Sequence, residues 1–193
     1  GQPEREPLGP TALGELQMWL QRAERIRTQQ RHDKNKLYAL HAPEVECIGK
    51  GKARKPWEFG CKVSLVTPVT SPKGGQFVLH AKALHGNPYD GHTLGPVLAD
   101  LARTTGVEAQ RIHVDRGYRG HGEDRTQVLI SGTRRGLTPK LVTDLRRRSA
   151  VEAEIGHMKT DGRLSRCPLK GAIGDTLFAV LCACGHNIRK ILA

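Results

Sequence analysis

Apolar positions recur along this 193-residue chain in two rhythms, one of three to four residues and one of two, and the changes of rhythm divide it into elements. From Thr11 to about Gln30, Leu13, Leu16, Leu20, Ala23 and Ile26 keep helical spacing, while Arg22, Arg25 and Arg27 fall elsewhere on the surface. That predicts a basic amphipathic helix after a proline-rich, extended start. Gly60 to Thr67 and Phe77 to Leu84 alternate or run apolar on either side of Ser71-Pro72-Lys73-Gly74-Gly75, which predicts an antiparallel hairpin. Asp90 stands ahead of Leu94, Val97, Leu98 and Leu101 as a helix start would. A short strand at Arg111 to Val114, a glycine-rich turn, a second strand near Gln127 to Ser131 and a helix from about Thr138 to Lys159 follow. In the last segment Leu177, Leu181, Cys184, Ile188 and Leu192 share one stripe, predicting a core helix packed on the sheet.

Charge narrows the class of partner. Lys and Arg number 31 against 19 acidic residues, a formal net charge of +12, and this is the electrostatic footprint of a protein that meets a polyanion. Nucleic acid is the first expectation, and it gives the basic helix two readings: a helix packed on the domain with a solvated cationic face, or a dedicated DNA-contacting element. The five cysteines include no Cys-x-x-Cys pair and read as reduced, mostly buried thiols. Nothing resembles a signal peptide, and no apolar run approaches the ~18 residues of a membrane span. A cytoplasmic protein without a membrane is expected.

The residues that could carry chemistry sit at two places. Asp115 ends the apolar run Ile112-His113-Val114 and meets Arg116-Gly117-Tyr118, so a strand would present its carboxylate at its carboxyl edge, where open sheets place ligands. The alternative is an aspartate that only caps a turn. Arg148, Glu152 and Lys159 are spaced by four and seven, which returns all three to one helix face and displays an acid between two cations. An ordinary ion pair between Arg148 and Glu152 accounts for the same spacing. Glu154, two residues on, faces away from Glu152. His92, His113, His121 and His157 match no zinc-ligand spacing.

Taken together, Tyr38-Ala39-Leu40-His41-Ala42-Pro43-Glu44, Gly86-Asn87-Pro88-Tyr89-Asp90-Gly91-His92-Thr93-Leu94, Val114-Asp115-Arg116-Gly117-Tyr118, Arg148-Ser149-Ala150-Val151-Glu152, Leu169-Lys170-Gly171 and Asn187-Ile188-Arg189 resemble the catalytic domain of bacterial insertion-sequence transposases of the DDE type. The resemblance implies a ribonuclease H-like α/β fold, one mixed sheet with helices on both faces, and two domains: a basic helical segment over 1–36 and a catalytic domain over 37–193. It also implies Mg2+, with Mn2+ as substitute, held by Asp115 and Glu152, and double-stranded DNA, both transposon ends and target, as partner of a homo-oligomer. Arg148 and Lys159 would hold the phosphate backbone, because the planar guanidinium fork matches phosphate oxygens. Arg134, Arg135, Lys140, Arg146 and Arg147 form the densest basic stretch around them, and Lys50, Lys52, Arg54 and Lys55 a second.

One departure bears on activity. Such transposases use three acids, the first on an Asp-Thr-Thr strand upstream of the Tyr38 block, and no such run occurs here. The expectation is therefore a truncated form, inactive by itself, lacking the central first strand and leaving the neighbouring strands with unpaired edges. The rivals are a DNA-associating remnant, or a nuclease in which Asp33, Glu44, Glu46 or Asp90 substitutes for the absent acid.

Overall fold

The computed structural model describes residues 10–51, 53–70, 72–73, 75–132, 136 and 138–193, and mixes helices with short strands. The chain divides into two compact units, one ending at Gly60 and the other spanning Cys61–Ala193. Residues 37–60 therefore group with the N-terminal segment.

In the first unit, α1 (Pro10–Thr28) buries none of its residues, and Leu20 is 60% exposed. It is tied to the chain that follows by polar contacts: Arg22 donates to the Leu40 carbonyl, and Gln29 bonds both the N–H and the C=O of Leu37. Beyond it β1 (Glu46–Gly49) and β2 (Trp57–Gly60) pair antiparallel, with Tyr38 and Phe59 rings in contact. This hairpin has no counterpart in the apolar pattern. Its turn carries Lys50, Arg54 and Lys55, and Lys50 meets Glu58 across the ladder at 2.9 Å. Lys52 lies outside the described residues.

The second unit begins with β3 (Lys62–Val66) and β4 (His80–Leu84), the expected antiparallel hairpin, although β4 starts three residues after Phe77. Next are α2 (Asp90–Thr105), β5 (Arg111–Val114), a single 3₁₀ turn at Arg116–Tyr118, and β6 (Gln127–Ile130), which pairs parallel with β5. Helix α2 closes on Gly106, whose φ of 72° is the left-handed cap that glycine adopts without a Cβ penalty. The expected single sheet is not what these strands form. Among the described residues there are three separate two-stranded ladders, and β3 and β5 each pair on one side only.

The predicted helix over Thr138 to Lys159 is two helices, α3 (Pro139–Arg147) and α4 (Ala150–Thr160). The junction tightens to i→i−3 bonding: Ser149 N–H and its hydroxyl both donate to the Arg146 carbonyl, at 3.3 and 2.7 Å, and Val151 and Glu152 N–H donate to the Arg148 and Ser149 carbonyls at 3.0 and 3.1 Å. Arg148 and Ser149 nevertheless keep helical dihedrals, so the four-residue spacing to Glu152 survives the interruption.

Helix α5 (Gly171–Leu192) reverses another expectation. Leu177, Leu181, Ile188 and Leu192 are all more than half exposed, and the buried face is Gly174, Ala179, Cys182, Ala183 and His186. Both faces are apolar, so periodicity did not choose between them; the small residues won because they let the helix backbone approach β4 and α4 closely. Asn187 fastens it, donating to the Val78 carbonyl and accepting from the Val78 N–H, each at 2.8 Å. The core there is Val78, Met158, Cys182 and Ala183, flanked by Leu65 and Phe178. A second cluster, Leu94, Leu98 and Val114 with Ile112, Tyr118, Val128 and Ile130, seats α2 on β5 and β6. Contrary to the sequence expectation, α5 is long and apolar enough to cross a membrane, with a mean hydropathy of 1.2 over its best 18 residues. A core helix of a globular domain passes the same test.

Candidate functional site

The second cluster fixes where Asp115 stands. Val114 is buried under α2, alternation turns the next side chain outward, and Ser131 holds the end of β5 by donating from both its N–H and its hydroxyl to the Val114 carbonyl. Asp115 is exposed at the carboxyl end of the parallel pair. Its Oδ1 accepts from Gly117 N–H at 2.8 Å and caps the 3₁₀ turn, so the turn-capping role considered from the sequence is real.

A second carboxylate comes to the same place. Asp90 does not cap α2; the cap position is Tyr89, and Asp90 is the first helical residue. Its Oδ1 accepts from Lys62 Nζ at 2.9 Å, and Lys62 also donates to the Pro88 carbonyl at 2.7 Å. A Cβ built on Gly117 would meet Asp90 Oδ2 at 2.5 Å and Asp115 Oδ1 at 3.0 Å. Glycine at 117 is what lets both acids close on the same turn.

Tyr118 lies beneath them. Burial pushes its phenol above the ordinary value, the Asp90 charge adds to this, hydrogen bonding to Thr93 opposes it, Asp115 raises it further and Ser64 lowers it. The phenol therefore stays neutral beside two acids, and it links β3, α2 and the 3₁₀ turn into one patch. Lys62, Ser64 and Thr93 carry no signal in the sequence, since they reach the site only through strand pairing and helix packing.

The other predicted residues lie on α3 and α4. Asp144 on α3 meets Arg111 on β5 at 3.7 Å, and His113 on β5 feels the charges of Asp144, Arg111 and Arg148, which sets the α3–α4 junction alongside β5. Arg148 reaches Glu152 at 3.5 Å, and the Glu152 side chain is 69% exposed. Arg146, Arg147 and Lys159 stand at the surface of these helices, while Arg134 and Arg135 lie outside the described residues. Glu154 turns away from this face, as expected, and sits against His186 and Lys190 of α5 at 2.8 and 3.1 Å. Among the described residues no hydrogen bond or ion pair joins Glu152 to Asp90 or Asp115, and the three do not gather into one ligand-sized cluster.

The four histidines considered for zinc have separate local surroundings. His92 stacks edge-on against Tyr89, His121 Nδ1 accepts from Glu123 N–H, and His157 pairs with Asp161. His113 is held below the usual histidine range by burial.

Comparison with known protein families, curated proteins and solved structures returns no match to this chain.

Proposed function

We propose that the chain is catalytic core from a DDE-type transposase of ribonuclease H-like fold, a protein that binds double-stranded DNA and exchanges phosphodiester bonds. The observation that carries the reading is the exposed Asp115 carboxylate at the carboxyl end of β5, with the Asp90 carboxylate drawn up to the same glycine. The order hairpin, helix, strand ending in Asp, strand, helix bearing Glu supports it as well.

Carboxylate oxygens open to solvent are the donors a hard divalent cation takes. Asp115 and Glu152 would hold Mg2+, with Mn2+ as substitute, and an ion held there would supply Lewis-acid chemistry for water activation and for charge on an attacked phosphate. Arg146, Arg147, Arg148 and Lys159 would fix the DNA backbone beside these acids, with sequence-independent contacts whose strength depends on salt.

A second reading, favoured by the meeting of Asp90 and Asp115 at Gly117, makes Asp90 the third acid of a nuclease-like site. Two measurements separate the possibilities. Mn2+ binding that weakens in Asp115→Ala and Glu152→Ala, together with salt-sensitive duplex binding, supports the transposase-type core. Mn2+ affinity unchanged in both variants, or no duplex binding at low salt, overturns it. Nicking of supercoiled DNA in Mn2+ that disappears in Asp90→Ala, Asp115→Ala and Glu152→Ala assigns Asp90 as the third acid, and binding without nicking leaves a DNA-associating protein.

A further inference from the structure

A different set of donors meets at the far end of the β3–β4 hairpin. The antiparallel ladder ends with Lys62 opposite Leu84, so Cys61 and His85 face each other one step beyond its last rung. Helix α5 runs along β4 and brings Asp175, in its first turns, to the same point. One ligand atom from each of the three lies within 4.8 Å of the others. No spacing rule in the sequence joins them.

The geometry suits a particular kind of ion. Cys61 Sγ lies 3.5 Å from His85 Nδ1. Zinc–sulfur and zinc–nitrogen bonds of about 2.3 and 2.0–2.1 Å at a tetrahedral angle put sulfur and nitrogen about 3.6 Å apart. The pair is thus already at the separation of two ligands of one tetrahedral ion. Thiolate and imidazole select Zn2+ and its neighbours in the transition series over Mg2+, which takes oxygen. A thiolate and a carboxylate together also cancel a divalent charge.

The hydrogen bonds behind the cluster set the histidine for this task. Thr176 Oγ1 donates its one hydrogen to the Ala172 carbonyl at 2.9 Å, so toward His85 Nε2, 3.3 Å away, it accepts. His85 therefore carries its proton on Nε2 and turns the lone pair of Nδ1 toward Cys61. Orienting a histidine ligand through its other nitrogen is the usual outer-sphere arrangement at metal sites. Cys61 and Asp175 are half-buried and His85 is exposed, which shields the donors while leaving the ion a way in. The Cys61 thiol also has the Lys62 carbonyl as an acceptor, 3.4 Å away.

We propose that Cys61, His85 and Asp175 form a transition-metal site, taking Zn2+ with water in the fourth position, that clasps the end of the β3–β4 hairpin to α5. It is separate in donor chemistry from the acids around Gly117 and does not depend on the DNA reading.

The test is Co2+ titration of the full chain after chelator treatment. One equivalent should give the intense visible bands of four-coordinate cobalt and a near-ultraviolet thiolate charge-transfer band, both removed by Zn2+. Cys61→Ser should lose the charge-transfer band. Asp175→Asn should bind at least about tenfold more weakly, and Thr176→Val about 10- to 100-fold more weakly through the loosened imidazole. Cys184→Ser, at an exposed cysteine elsewhere on α5, should be unchanged. Zn2+ should raise the thermal midpoint of the wild type by more than that of Asp175→Asn at the same Zn2+ concentration. Absence of four-coordinate bands in the wild type overturns the proposal, as does survival of the charge-transfer band in Cys61→Ser or its loss in Cys184→Ser. Should Cys61→Ser fail to fold by circular dichroism, undiminished affinity in Asp175→Asn decides against the site.

Discussion

Asp90 and Asp115 approach the same point from two elements: the Oδ2 of one and the Oδ1 of the other lie 2.5 and 3.0 Å from where Gly117 would carry a Cβ. Two like charges so placed repel, and the structure offsets this with Lys62 on Asp90 and the Gly117 N–H on Asp115. Gly117→Ala removes the room. It should push the two carboxylates off their rotamers at a cost of about 0.5–1.5 kcal/mol, read as a lower urea midpoint. A midpoint unchanged from the wild type would mean that the two acids do not crowd this turn.

Met158 is fully buried between α4, α5 and the β3–β4 pair. Met158→Ala should cost about 2–5 kcal/mol, because the lost transfer energy is joined by a cavity that its close-packed neighbours do not fill. Denaturant unfolding measures it, and Val142→Ala, at a half-buried position of α3, should cost less.

Acid should weaken the fold through histidine. His80, His113 and His186 are each held below 6.5 by burial, which outweighs the opposing charges of Asp100, Asp144 and Glu154 respectively. Below about pH 6.5 the unfolded chain therefore binds more protons than the folded one, and stability falls as pH falls. Urea midpoints should drop between about pH 7 and pH 5, before the ordinary carboxylate range is reached. His186→Gln, neutral throughout, should remove part of that slope.

Duplex binding should lose affinity steeply with salt, because the cations on α3 and α4 suit phosphate rather than base edges. Replacing Arg146, Arg147 and Arg148 together should reduce the slope of log affinity against log salt by about 0.9 for each phosphate that is no longer neutralised. Titrations at several salt concentrations check this, and an unaltered slope would place the DNA elsewhere on the molecule.

How far the sequence reached depends on the range of the interaction. The β3–β4 hairpin, α2, β5 and β6 were legible because each is set by local periodicity and by glycine-marked turns. The end of β5 at Asp115 was legible for the same reason. The Arg148–Glu152 pair was legible because four residues is one helical turn, and it survived the break at Ser149. The break itself was not, since no glycine or proline stands at it and the i→i−3 bonds that make it leave no trace in the apolar spacing. The burial of Glu154 against His186 and Lys190 joins residues far apart in the chain.

By itself the sequence determined the β3–β4 hairpin, α2, β5, β6 and the helical character of α1 and α5, the excess of positive charge, and the acid that ends β5. Tertiary structure decided which face of α5 is buried, that Asp90 joins Asp115 rather than capping its helix, and that Cys61, His85 and Asp175 converge. The reason is physical: periodicity records that a face is apolar, but when both faces are apolar only the closeness of backbone approach selects one. Contacts between separate elements leave no periodic trace, because their geometry arises only when the strands have paired and the helices have packed.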